Sequence, residues 1–116
     1  MKLKEIVSKI KIDDRKLTEY ALNTDNPKGT DKAFMFQKHL GFTPNNYQIL
    51  LEQIKTQILD SDVIFQFEDD HGKRYQIDLE IKGIKPEQKE IVRTGWIVEP
   101  NTDTARLVTL YVKKKQ

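Results

Sequence analysis

The chain contains no cysteine, so it folds without disulfides and cannot build a cysteine-ligated metal site. It has only two histidines: His39 lies near an expected helix C-terminus, where a protonated ring is favoured, and His71 lies in a hairpin turn. Neither has an obvious catalytic partner, and no spacing resembles a calcium loop or a zinc site, so no metal or other cofactor is expected. Long hydrophobic runs are missing too. Polar residues interrupt every apolar stretch, including the one that follows Lys2 and Lys4, which argues against a signal peptide or membrane span and makes a cytoplasmic protein the expectation.

What is present is a 116-residue chain with a hydrophobic fraction of 37%, enough for one modest core and too short for two. A single domain over residues 1–116 is expected. The net charge of +2 conceals an uneven distribution. Seven lysines lie in the ends, 1–11 and 113–116, against Glu5 alone, so the ends carry +6 and residues 12–112 carry −4. Basic ends on one face would attract phosphate backbones over a Debye length of about 8 Å; otherwise they only solvate the termini.

Helical signals come first along the chain. Asp13 or Asp14 caps a short segment near 14–22 with Leu17, Tyr20 and Ala21 on one face. A second helix is expected from Asp31 to about Leu40, capped by Thr30 and stopped by Gly41. A third opens with Thr43 as N-cap and Pro44 at the first helical position, runs to about Leu59, and buries Tyr47, Leu50, Leu51, Ile54 and Ile58. The period then changes to two. "VIFQF", "KRYQIDLEIK", "KEIVRTGWIV" and "ARLVTLYVK" read as strands joined by turns. The predicted architecture is α+β: three N-terminal helices packed on one face of a four-stranded antiparallel meander sheet.

Two features carry chemistry. The loop "DNPKGTDK" puts Lys28 and Lys32 at a helix N-terminus, where unpaired N–H groups already favour anions. Either a phosphate is shared there, or Lys32 simply points to water. Arg93 interrupts an apolar strand, where it either snorkels beside Ile91 and Ile97 or stands on an open sheet face as a phosphate ligand. Gly95 leaves room beside it for a close approach. Pairing the apolar sides would put Thr109 and Tyr111 next to Arg93, but a register slip of one residue would reverse the faces.

"KLTEYALN", "DNPKGTDKAFMFQKHLGFT", "YQID", "VRTGWIVEP" and "LVTLYV" together resemble an uncharacterised family of small bacterial proteins, similar in turn to the C-terminal toxin domains of large secreted polymorphic proteins. The resemblance runs from about Ile12 to Val112 and rests on an Asp-His-Pro-x-Gly-x-x-Lys-Ala-like loop and an Arg-Thr-x-Trp-Ile strand. Its layout is also similar to the barnase, EndoU and RelE class of small ribonucleases, a fold-level analogy. It implies a toxin-like domain acting on RNA, a metal-independent ribonuclease of a toxin–antitoxin or toxin–immunity pair. The implied partners are RNA and a cognate antitoxin or immunity protein. Carried over by position, it picks out Asp25, Pro27, Gly29, Lys32, Arg93, Thr94, Trp96, Thr109 and Tyr111. Asn26 stands where the pattern usually has histidine, so a histidine base from that position is missing here.

On this reading Lys32 and Arg93 supply charge to the transition-state phosphorane, with Lys28 helping, while Thr109 and Tyr111 position the phosphate or shuttle protons. Asp25, Asn26, Lys28, Gly29, Thr94 and Trp96 bind substrate, Trp96 by stacking a base unless it packs in the core. The alternative is a non-catalytic module that binds protein or nucleic acid on the same open sheet face.

Overall fold

The computed structural model describes residues 1–27 and 30–113. The regular alternation in β3 (Gly72–Lys82) buries Tyr75, Ile77, Leu79 and Ile81 and leaves Arg74, Gln76 and Asp78 on the other face. β2 (Ile64–Asp69) and β4 (Lys89–Val98) flank it antiparallel, and β5 (Thr104–Val112) runs antiparallel to β4.

The expected four-stranded meander is corrected by a further strand. β1 (Lys9–Lys11) pairs parallel with β5, matching Lys9 to Thr104, Ile10 to Ala105 and Lys11 to Arg106. The result is a five-stranded mixed sheet of order β1-β5-β4-β3-β2, with β4 in the centre. One isoleucine between two lysines carries no periodic signal. The strand forms because the first half of β5 would otherwise present a row of unpaired backbone groups beside the core.

The helical layer also differs from the expected three helices. Among the described residues it contains two α-helices, α1 (Thr30–Leu40) and α2 (Tyr47–Gln57), while Lys16–Ala21 forms wide π-helical turns in which the Leu22 N–H reaches the Leu17 carbonyl at 2.9 Å. The Thr43-Pro44 start is displaced to Tyr47 because local side chains hold a turn there. Thr43 Oγ1 accepts from the Asn45 N–H at 3.2 Å, and the Asn46 amide spans the Thr43 N–H and the Gly41 carbonyl at 2.8 and 3.0 Å. Gly41, at φ 74°, ends α1 in the left-handed conformation expected of it.

Both helices lie over the inner face of the sheet. Phe36 and Leu40 from α1 and Leu50, Leu51 and Ile54 from α2 form one core with Ile77, Leu79, Val92, Trp96, Leu107 and Leu110. Leu3 and Leu17 complete it from the N-terminal segments.

The register of β5 on β4 is the detail that matters most for function. Thr109 pairs with Gly95, but Leu107 pairs with Trp96, so Val108 is an extra residue in β5. The bulge lets Ala105 and Leu107 face inward before it and Leu110 and Val112 after it.

Candidate functional site

Beyond the bulge, Thr109 and Tyr111 lie on the outer face, opposite Gly95 and Arg93 respectively. Arg93 also pairs across β3 with Asp78. Its Nε and Nη2 donate to the two carboxylate oxygens of Asp78 at 3.0 and 3.2 Å, and both side chains are 26% exposed. Lys113 Nζ stands 3.8 Å from the same carboxylate. The Asp78 carboxylate, aided by the neighbouring Tyr111 phenol, pushes the Arg93 pKa up, so the guanidinium is fixed as a cation. A bidentate pair uses two donors on one edge and leaves the remaining guanidinium N–H groups for another acceptor.

The first turn of α1 stands beside β5, and from it Lys32 reaches Tyr111, placing Nζ 4.9 Å from the ring centroid. A lysine over an aromatic face is held electrostatically without being neutralised. The charge at this helix start is thus directed onto the sheet.

Three hollows meet around these residues. The largest, about 670 Å³, is lined by Asp31, Lys32, Met35, Arg93, Tyr111 and Lys113 among others. A second, about 190 Å³, shares Lys32 and adds Lys16, Tyr20, Asn26 and Thr109. A third, about 200 Å³, shares Arg93, Thr109 and Tyr111 and extends to Phe67, Arg74 and Gln76. Each hollow shares lining residues with the other two, so they adjoin as the arms of a groove, and cations line every arm.

The groove thus brings together Lys32, Arg93, Thr109 and Tyr111, four residues drawn from three elements. Asn26 lines it as well. Its side-chain amide donates to the Glu19 carbonyl at 3.1 Å, and its own carbonyl accepts from the Thr30 hydroxyl at 2.6 Å, so the Thr30 hydroxyl donates to the loop. Asp25 is exposed in the turn, with its N–H on Asn23 Oδ1 at 2.9 Å. Lys28 and Gly29 lie outside the described residues.

Thr94 and Trp96 border the third hollow, but their side chains turn the other way. Thr94 is 0% exposed; its hydroxyl donates to the Ile77 carbonyl at 2.7 Å and accepts from Trp96 Nε1 at 2.7 Å. Their side chains serve each other in the core. His39 faces Glu90 at 3.9 Å, and neither histidine lines these hollows.

Sequence reasoning missed Asp78, Lys16, Tyr20, Arg74 and Lys113. Asp78 had a signal, since it sits on the polar side of β3 beside a strand whose polar exception is Arg93. Among the described residues, no group of three or more His, Cys, Asp or Glu could hold a metal ion, and no helix is long and apolar enough to cross a membrane.

Helices over one face of a mixed sheet, with a cationic groove reaching the other face, define an α+β fold that is found elsewhere. A chain of the contact-dependent growth inhibition toxin – immunity protein complex from Klebsiella pneumoniae 342 matches with a TM-score of 0.69 at 18% identity, over 90% of this chain and 93% of that one. At that identity the likeness is one of fold. No curated protein matches the chain. Residues 2–114 match the family described as "Domain of unknown function (DUF6883)", and the chain belongs to that family.

Proposed function

We propose that the chain is a toxin-type domain that cleaves RNA and is restrained by a cognate immunity or antitoxin protein. The observation that carries this reading is that Lys32, Arg93, Thr109 and Tyr111 line three adjoining hollows, each residue shared by at least two of them. The fold shared with a chain of a toxin–immunity complex supports it.

The reaction proposed is transfer within the RNA backbone. The 2′-oxygen attacks the adjacent phosphorus, its proton leaves to a base, the bond to the 5′-oxygen breaks, and that oxygen receives a proton. The products are a 2′,3′-cyclic phosphate and a 5′-hydroxyl. Lys32 and the N–H groups of Arg93 that Asp78 does not hold stabilise the charge that builds on the phosphorane oxygens. The Thr109 and Tyr111 hydroxyls position the phosphate and relay the protons. Asp78 holds the guanidinium plane in place.

Purified protein freed of any partner is expected to cleave RNA in the presence of EDTA. Arg93→Ala should slow cleavage by ~10² or more, the scale of losing one transition-state donor. Its melting temperature should stay within a few degrees, because Lys113 remains beside Asp78. Wild-type protein that cuts neither single-stranded nor structured RNA, and that leaves bacterial growth unchanged on expression, would reject the reading.

A second reading is a non-catalytic binding module. The Arg93–Asp78 pair favours it by partly neutralising the arginine, as do the exposed Ile64, Phe65 and Phe67 on the edge strand β2. It predicts stoichiometric binding without turnover.

A further inference from the structure

The branch of the groove lined by Phe67 and Arg74 lies beyond the phosphate-directed residues, and cleavage chemistry does not need it. Its residues have the character of a site for a flat ring. Gly95 on β4 faces Gln76 on one neighbouring strand and Thr109 on the other, and the missing side chain leaves a gap in the row between Arg93 and Ile97. A Cβ there would already stand 3.0 Å from Thr109 Cγ2. On one side Phe67 is 52% exposed, and the Arg74 guanidinium lies over its ring at 5.8 Å. Arg74 pairs with no carboxylate among the described residues, and its Nε is sealed from solvent without any acceptor. Gln76 offers a donor and an acceptor on the same face, and its amide makes no hydrogen bond among the described residues.

A buried N–H with no acceptor is normally costly, and no ion pair among the described residues opposes a turn of the Arg74 guanidinium toward a ligand that supplies one. Guanine supplies two adjacent acceptors, O6 and N7, in the spacing that suits an arginine fork; adenine and the pyrimidines do not. Resting on the RNA reading above, we propose that this branch is a nucleobase subsite. It takes a guanine of single-stranded RNA, stacked beside Phe67 over Gly95 and read by Arg74, while the adjoining phosphate lies at Lys32 and Arg93.

The test uses full-length protein and short RNAs made uncleavable by 2′-O-methylation, UUGUU, UUAUU and UUUUU, with binding read by fluorescence anisotropy. Wild type should prefer UUGUU by ~10-fold or more, the discrimination expected of a bidentate arginine contact. Arg74→Gln should bring the three affinities together. Phe67→Ala, at an exposed edge position, should weaken UUGUU most, and Lys32→Ala should weaken all three alike. Circular dichroism confirms that each variant is folded. Equal affinities in wild type, no binding to any of the three, or a guanine preference that survives both Arg74→Gln and Phe67→Ala would overturn the subsite. Cleavage of unmodified RNA without base preference would overturn the subsite and leave the nuclease reading standing. Guanine preference without cleavage would do the reverse.

Discussion

Replacing Thr94 by valine keeps the shape of the side chain and removes only its hydroxyl, which makes the energetic consequence tractable. The hydroxyl sits at 0% exposure between the Ile77 carbonyl and Trp96 Nε1, each at 2.7 Å. Without it the indole N–H is buried with no acceptor, a loss of ~1–3 kcal/mol. Unfolding entropy for a chain of this length is about 0.24 kcal/mol/K, so a mid-range loss of ~2 kcal/mol lowers the melting temperature by ~8 °C. Differential scanning calorimetry of Thr94→Val against wild type measures this directly. Thr94→Ser, which retains the hydroxyl, should lose less. In a cycle with Trp96→Phe, the valine should cost little once the indole is gone, giving a coupling of ~1 kcal/mol or more. A Thr94→Val melting temperature within about 2 °C of wild type would refute the argument that this hydroxyl satisfies the indole.

Lys32→Ala should leave thermal stability nearly unchanged, because the lysine is exposed, while the salt slope of RNA binding falls by about 0.7, the loss of one phosphate contact on a single strand. Filter binding across a salt series reads it. The Asp13 carboxyl, held down to about 2 by the Arg15 guanidinium and by the Arg15 N–H, should titrate there by NMR, and Arg15→Ala, which keeps that N–H, should raise it part of the way toward about 3.9. Because the folded value is depressed, its stabilising contribution is complete above the unfolded value of about 3.9 and disappears as pH falls through 2. Gly72→Ala should destabilise the β2–β3 hairpin severely, since φ is +134° and a Cβ would collide with the Val98 carbonyl; urea denaturation would show a lower midpoint.

The sheet was largely legible because β3 and β4 are long enough for period-two patterning to dominate. α1 was legible because Gly41 ends it at the expected place. β1 was not, because a strand of three residues is decided by the edge it completes. Thr43 and Pro44 pointed to a helix start, yet the side chains of Thr43 and Asn46 close a turn there first. At the site, residue type and face suggested Arg93 with Thr109 and Tyr111. Sequence could not supply the Val108 bulge that fixes their register, nor reveal that Lys32, some 80 positions away in the chain, reaches the Tyr111 ring. Thr94 was expected to bind substrate and Trp96 to stack a base or pack in the core; their side chains lie on the side of β4 that the helices cover, while both residues border the third hollow.

Because of Val108, β5 behaves as two short strands of opposite parity spliced at one residue. The first half answers to β1 and the interior; the second presents Thr109 and Tyr111 to solvent. Were the strand to straighten with Val108 opposite Gly95, Leu110 would replace Tyr111 at the groove and the phenol would turn inward. Loss of Val108 itself would instead leave a plain strand with Thr109 still opposite Gly95 and Tyr111 opposite Arg93. Among relatives, the outward residues of the second half can therefore diverge without disturbing the interior, and a chain one residue shorter at the splice would keep the same faces. Alignments of this family should allow a one-residue gap at Val108 without reassigning the residues that face the groove.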